Sequence, residues 1–295
     1  MKELKFLAYD SFSTRSMATY VETDIKILLD PSISISPNRY RLPPHPLELQ
    51  ALEKDTYKII DYIKKSNVLV ITHYHWDHCP HPDSEIISNI INKTLIVKDY
   101  ASKINKSQNS RGKRFLSKVK KKNEILVGDS RKYDFGDTTI TISKPVWHGT
   151  EGSKLGYVIM ACIQYKNNSL LFASDIQGVL SGDTLNEILS LDPTILVLSG
   201  PATYHNFWDE KLTEISNENL KKIAEKTQVK EIVIDHHLVR DKDYFYKIKE
   251  LKYHLESLGV SLKTAAEYMK IDNRLLEARR KELYKMYPAH RTDAH

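Results

Sequence analysis

Short apolar runs bounded by polar turns alternate along this chain with longer stretches in which apolar residues return every third or fourth position, so strands and helices interleave. Residues 4–9, 17–22 and 25–30 have the length and composition of strands. Residues 32–45 carry Pro37, Pro43 and Pro44, with Pro46 just beyond, and predict an extended surface loop, a candidate border for a substrate site. Leu49, Leu52, Tyr57, Ile60 and Ile63 put an apolar stripe on a helix over 47–65, which delivers the chain into the buried strand Val68-Leu69-Val70-Ile71. Further strands are expected at 95–97, 124–127, 138–142, 155–165 and 170–173, with turns such as Asp134-Phe135-Gly136-Asp137 between them. Helix and strand then alternate again, with helices at 184–191, 217–226 and 244–258 and strands at 195–198 and 231–234. Residues 262–286 predict a basic amphipathic helix and 287–295 a frayed end.

No short repeat or low-complexity linker divides the 295 residues, so one domain over 1–295, with the basic helix at its C-terminal end, is the economical organisation. That helix either pairs two copies of the chain as a homodimer or packs on its own domain. Hydrophobic residues make up 41% and charged residues 28%, a globular mix that excludes wholesale disorder and fibrous classes. The longest apolar run, 155–162, is strand-sized and interrupted by Gly156, far short of a membrane span. The start Met1-Lys2-Glu3-Leu4-Lys5 lacks an apolar signal-peptide core, so the expected compartment is the cytoplasm, with no membrane contact. The cysteines, Cys79 and Cys162, then read as reduced thiols; Cys79, next to His78, is either a small loop residue or a further ligand. Net charge is +6, and its clustering says more than its total. Between Lys98 and Lys122 the chain carries Lys103, Lys106, Arg111, Lys113, Arg114, Lys118, Lys120, Lys121 and Lys122 against almost no acid. This is either a solvated basic helix or a surface that tracks the phosphates of RNA or DNA.

The chemistry concentrates in Thr72-His73-Tyr74-His75-Trp76-Asp77-His78, where three imidazoles and a carboxylate follow directly on the 68–71 strand. Neutral imidazole and carboxylate both suit Zn²⁺ and similar ions, and alternation lets His73 and His75 face one side while Asp77 and His78 face another. Loops at the carboxyl ends of strands are where such sites collect. His148, Asp175, His236 and His237 share that placement, each following a β-rich stretch. Asp30 ends the 25–30 strand, and a buried carboxylate there needs a partner; hydrogen bonding to a metal-ligating histidine supplies one.

This ordered set, a strand-terminal Asp, His-x-His-x-Asp-His, a later His, another strand-terminal Asp and a final His, resembles the metallo-β-lactamase superfamily from about Asp30 to His237. Ser199-Gly200-Pro201-Ala202-Thr203-Tyr204-His205 is similar to a Gly-Pro-rich loop of an uncharacterised archaeal branch. The resemblance implies an α/β fold, a four-layer αββα sandwich with two mixed sheets face to face. It implies two divalent ions, zinc first, with manganese and iron accepting the same donors. His73, His75 and His148 would hold one, and Asp77, His78 and His236 or His237 the other, with Asp175 bridging. His236, the first residue past its strand, is favoured as the ligand, leaving His237 for substrate or proton handling. A hydroxide bridging the ions would attack the substrate, with Asp77 orienting the water and Asp30 fixing a histidine tautomer. Tyr204, His205 and His237 are weaker candidates for substrate contact or leaving-group protonation. The basic segment favours a phosphodiester or nucleic-acid substrate; a lactone, thioester or other small ester is the alternative. A noncatalytic nucleic-acid-binding protein with structural metals is a third reading, disfavoured because closed structural zinc sites prefer thiolates.

Overall fold

The structure is a computed structural model in which residues 1–288 are described. The first sheet begins as an antiparallel meander of β1 (Glu3–Tyr9), β2 (Met17–Glu22) and β3 (Lys26–Leu29). It continues in parallel through β4 (Val68–Ile71), β5 (Thr94–Val97) and β6 (Glu124–Val127), with α1 (Pro46–Lys65), α2 (Glu85–Ser88) and α3 (Lys106–Val119) in the crossovers. The second sheet repeats that plan. β7 (Lys132–Phe135), β8 (Thr138–Ile142), β11 (Ala161–Tyr165) and β12 (Asn168–Ser174) are antiparallel. β13 (Ile195–Ser199), β14 (Glu231–Asp235) and β15 (Ser261–Lys263) then add in parallel to β12, linked by α4 (Gly182–Leu191), α5 (Glu210–Lys226) and α6 (Tyr244–Ser257). A two-stranded ladder, β9 (Val146–Trp147) with β10 (Tyr157–Val158), stands apart, and α7 (Ala265–Tyr268) and α8 (Arg280–Met286) close the chain.

The sheets face each other across one apolar layer, Phe6, Val21, Ile27, Val68, Val70 and Ile96 meeting Ile140, Ile163, Leu170, Phe172, Val197 and Val233. Each outer face carries helices. Leu28, Leu69, Ile71 and Leu95 bury Ile59, Ile63 and Phe115 on one side, and Leu171, Leu196, Leu198 and Ile232 bury Ile188, Leu220, Ile223 and Leu251 on the other. The result is the expected αββα sandwich. Its parallel strands are covered on both faces, which is why they read as unbroken apolar runs, whereas β8 alternates buried and half-buried positions. The α1 helix starts where the sequence directs: Pro46 opens it, His45 Nδ1 accepts the Leu47 N–H at 3.2 Å, and Glu48 accepts the His45 N–H at 2.9 Å.

Two expectations are corrected. Residues 155–165 are not one strand: Gly156 (φ 87°) turns ahead of β10, and at Ile159–Met160, where the Ile159 N–H donates to the Thr72 carbonyl, the chain leaves the small ladder for β11 of the large sheet. Residues 262–286 are not one helix. Ser261–Lys263 completes the sheet edge beside β14, Thr264 caps α7, and left-handed backbone at Lys270 (φ 57°) and Leu275 (φ 50°) prevents continuation until α8. The continuous amphipathic face on which pairing of two copies rested is therefore absent. The frayed end expected at 287–295 lies mostly outside the described residues. The α8 helix instead docks on α1 through the buried fork of Arg280 on Glu48, at 2.7 and 2.8 Å, and grips the Pro-rich loop at the Leu42 and Ser36 carbonyls. Among the described residues no helix is long and apolar enough to cross a membrane.

Candidate metal centre

Six chain segments deliver polar side chains to one end of the sandwich, where β1, β3, β4, β9, β12 and β14 all terminate. At three of these ends the backbone turns left-handed, at Ser174 (φ 53°), the last residue of β12, and at Asp30 (φ 44°) and His236 (φ 58°), the first residues past β3 and β14, and this redirects the chain out of the strand. Strain of this kind survives only where neighbours over-determine it, and it gathers at functional sites. Here the neighbours are hydrogen bonds. The Thr72 N–H donates to Asp30 Oδ1 at 2.8 Å, and the Thr72 and Ser174 hydroxyls both donate to Asp30 Oδ2 at 2.7 Å, tying β3, β4 and β12 together.

The 72–78 loop does not alternate strictly between burial and exposure. His73 and Tyr74 are buried, Gln108 of α3 accepts the Tyr74 N–H at 3.0 Å, and His75, Trp76 and Asp77 reach the partly open mouth. Among the described residues ligand atoms gather in four overlapping groups; two are Asp30–His73–His78 and Asp175–His236–His237, and the other two take in His75, Asp77 and His148. In the one with His148, His75 Nδ1 lies 3.1 Å from His148 Nε2, which lies 3.1 Å from Asp175 Oδ2, with His73 completing the set. In the one with Asp77, His78 Nε2 and His236 Nε2 face each other at 3.3 Å, with Asp77 Oδ2 3.5 Å from the latter. Asp175 Oδ2 stands between these two, 3.7 Å from His78 Nε2 and 3.8 Å from His236 Nε2. His237 Nε2 lies 3.2 Å from both Asp175 oxygens, and its Nδ1 meets the Tyr204 hydroxyl at 3.1 Å. His205 is exposed and stacks on Tyr204 rather than joining any group. Cys79 is buried with its Sγ toward the Pro80 carbonyl, outside all four groups.

These residues fit cations on chemical grounds. His78 Nδ1 is 2.9 Å from Asp30 and His236 Nδ1 is 2.7 Å from Asp10, so each ring keeps a proton there and points its Nε2 at the other ring. Unprotonated, those two nitrogens and a carboxylate oxygen at such range repel unless positive charge lies between them. The 3.1 and 3.3 Å spacings match the roughly 3.3 Å edge of a tetrahedron with ~2.0 Å metal–nitrogen bonds. His73 Nε2 is buried with no hydrogen-bond partner. The electrostatics agree. Burial, then the neighbouring rings, hold His73 well below the usual imidazole range and His75 at about 3. Burial would raise Asp77 and Asp175, but the surrounding histidines outweigh it and keep both well below the carboxylate range. Burial and Arg240 would lower His236, yet Asp10 and Asp77 push it up to about 9, so without an ion a proton takes the place at Nε2 that a metal would otherwise fill.

Two members of the site went unread in the sequence. Asp10 directly follows β1 as Asp30 directly follows β3, so the strand-end criterion would have found it; it accepts hydrogen bonds from the His236 Nδ1–H and the Arg240 Nε–H, the latter at 2.6 Å. Arg240 follows His236 by one helical turn. Its Nη2 lies 3.2 and 3.1 Å from the two His236 nitrogens, over the ring face rather than in the plane of either lone pair, and 3.6 Å from Asp77.

No protein-family model matches the chain. A UPF0282 protein of Aeropyrum pernix is 39% identical over 291 residues, covering 96% of this chain and 98% of the relative. A UPF0282 protein of Methanocaldococcus jannaschii is 39% identical over 289 residues, 94% of each chain. Among solved structures, a possible metal-dependent hydrolase from Veillonella parvula superposes with a TM-score of 0.54 at 14% identity, covering 88% of this chain and 94% of that one. The metallo-β-lactamase fold protein YhfI of Bacillus subtilis gives 0.50 at 9% identity, covering 88% and 95%. CmlA, a diiron β-hydroxylase of Streptomyces venezuelae, gives 0.53 at 13% identity, covering 88% of this chain and 52% of that protein.

Proposed function

Since the chain belongs to the UPF0282 family of archaeal proteins and adopts the metallo-β-lactamase fold, we propose that it is a metal-dependent hydrolase with a two-cation centre. The observation that carries this reading is the opposed pair His78 Nε2 and His236 Nε2, 3.3 Å apart, each fixed from behind by a buried carboxylate. His73, His75 and His148 would hold one ion, Asp77, His78 and His236 the other, and Asp175 both. Divalent cations in such a site acidify water to a pKa of about 7 and polarise a carbonyl or phosphoryl oxygen. Zinc, manganese and iron all accept this donor set. Asp30 and Asp10 are positioning residues that hold the ring protons of His78 and His236 at Nδ1. Asp77, at the partly open mouth, orients the attacking water as well as holding metal. His237, between Asp175 and Tyr204, handles a proton on the leaving-group side.

A phosphodiester, including a nucleic-acid strand, is the favoured substrate. Arg111 of α3 stacks over Trp76, 5.1 Å from the ring centre, beside His75 and Asp77, and no carboxylate lies within 4 Å of it among the described residues. The exposed lysines of α3 continue that positive surface away from the mouth. A small lactone or thioester is the alternative, and one panel separates them. Purified protein should carry about two equivalents of metal and turn over bis-(4-nitrophenyl) phosphate faster than a lactone or a thioester, with activity lost to chelation. His236→Ala should drop to about one equivalent while His237→Ala keeps both. Failure to take up any transition metal on reconstitution overturns the proposal.

A further inference from the structure

Beside this centre lies a cluster of guanidinium groups that the metal chemistry does not use. Arg15 is spent on Glu277, which it grips with two bonds of 2.6 Å, and Arg240 on Asp10. Arg39 has no such partner. Its nearest carboxylate oxygen, Glu277 Oε1, is 4.0 Å away and already held by Arg15, and its Nε makes no hydrogen bond although shut off from solvent. Only 17% of the side chain is exposed, and a charge so far withdrawn from water with a single carboxylate, distant and shared with Arg15, is costly. The fold nevertheless goes to some length to hold it there. Arg39 enters a tight turn in which Tyr40 (φ 58°) and Arg41 (φ 63°) both adopt the left-handed conformation without glycine. The guanidinium is sandwiched between the rings of Tyr40 and Tyr204, at 4.6 and 4.7 Å, and donates to the Arg240 carbonyl at 3.2 Å. Tyr204 in turn touches His237, and His237 touches Asp175. Arg15 and Arg39 both approach Glu277 Oε1, and Arg39 also reaches the Arg240 carbonyl, so the three guanidinium-bearing residues lie together.

We propose that Arg39, stacked between Tyr40 and Tyr204, receives a second anionic group of the substrate, a phosphate or carboxylate next to the bond cleaved at the metal centre. This rests on the hydrolase reading above and narrows its substrate class to molecules with a negative charge beside the scissile group. The guanidinium fork suits such oxygens better than a lysine would.

Calorimetric titration of the metal-loaded protein tests this with inorganic phosphate as the one-headed probe. Pyrophosphate and tripolyphosphate, which differ in reach, and 3-phosphonopropionate, whose second charge is a carboxylate, are the two-headed probes; metal content is measured after each run. At least one two-headed probe should bind about tenfold more tightly than phosphate, the scale of one charge-assisted hydrogen bond. Arg39→Met, which keeps the stacked volume, should abolish that preference, and Arg39→Lys should reduce it. Which probe gains the preference identifies the group as phosphate or carboxylate. If no two-headed probe outperforms phosphate, or the preference survives in Arg39→Met, the assignment of Arg39 is wrong while the metal centre stands. If Arg39→Met does not fold, an undiminished preference in Arg39→Lys overturns it equally. If the metal-loaded protein binds none of the four probes, the phosphodiester reading falls with it.

Discussion

Asp10→Asn separates the two tasks of the carboxylate behind His236. Asp10 Oδ2 is 2.7 Å from His236 Nδ1 and Oδ1 is 2.6 Å from Arg240 Nε. An asparagine offers one acceptor and one donor where two acceptors stood. With its oxygen kept by Arg240, its N–H must donate to His236 Nδ1, and the ring proton moves to Nε2, the atom that faces His78 and Asp77. Metal affinity should then fall about 10- to 100-fold, in the Asp77–His78–His236 group and not in the His73–His75–His148 group. The second effect is on stability. Arg240 is only 2% exposed and would keep a single carboxylate, Asp77, at 3.6 Å. Stranding a buried charge costs about 3–5 kcal/mol, and the same scale follows from a pair at ~4 Å in an effective dielectric of ~20. Because Asp77 remains, the lower figure, about 3 kcal/mol, is expected. Urea unfolding in the presence of chelator reads this alone; with m near ~3 kcal/mol/M the midpoint should fall by roughly 1 M. Adding Arg240→Met should recover at least half of that loss, since no unpaired charge is left behind. A midpoint within about 0.2 M of the parent, together with unchanged affinity for the second metal equivalent, would refute the role assigned to Asp10.

Two further outcomes follow from other parts of the frame. A Cβ at Gly112 of α3 would stand 2.8 Å from Tyr100 Cβ and 2.9 Å from the Tyr74 ring. Gly112→Ala should therefore destabilise by about 1–3 kcal/mol and, by displacing Tyr74 between His73 and His75, lower kcat; thermal melts and turnover together check it. Glu277 is held below the ordinary carboxylate range of 4.5 because Arg15 outweighs its burial. That contribution is fully present above pH ~4.5 and is lost as pH falls through the depressed folded-state value, so the stability gap between the parent and Glu277→Gln should narrow steadily below about pH 4.5 in urea titrations.

The elements that read most clearly were those with an unambiguous period. The stripe Leu49, Leu52, Tyr57, Ile60 and Ile63 put α1 within a residue of its expected bounds, although Leu49 and Tyr57 are exposed and the buried face runs through Ala51, Asp55, Ile59, Ile60 and Ile63, and 68–71 came out as a strand. The C-terminal segment did not, because Ser261-Leu262-Lys263 has no decisive pattern of its own and becomes a strand only by pairing with Glu231 and Ile232 at an open sheet edge. The basic stretch after Lys98 is a helix over part of its length, Lys106–Val119. Its buried residues, Gln108, Gly112 and Phe115, are what bring it against the metal loop, and its lysines play no part in that.

The chain's own order of residues determined the alternation of strands and helices and the strand ends at which chemistry collects, because an apolar run must be buried and an imidazole or carboxylate next to it must face a loop; the sandwich layers and the set of seven side chains were what the resemblance to the metallo-β-lactamase superfamily implied. Tertiary structure alone decided that Asp10 stands behind His236 across 226 residues of sequence, that His236 rather than His237 opposes His78, and that Arg39 lies 201 residues from the carbonyl it touches. Such pairings depend on which strand ends are brought side by side and on a left-handed twist at a single residue, and neither is encoded in the spacing of the residues that take part.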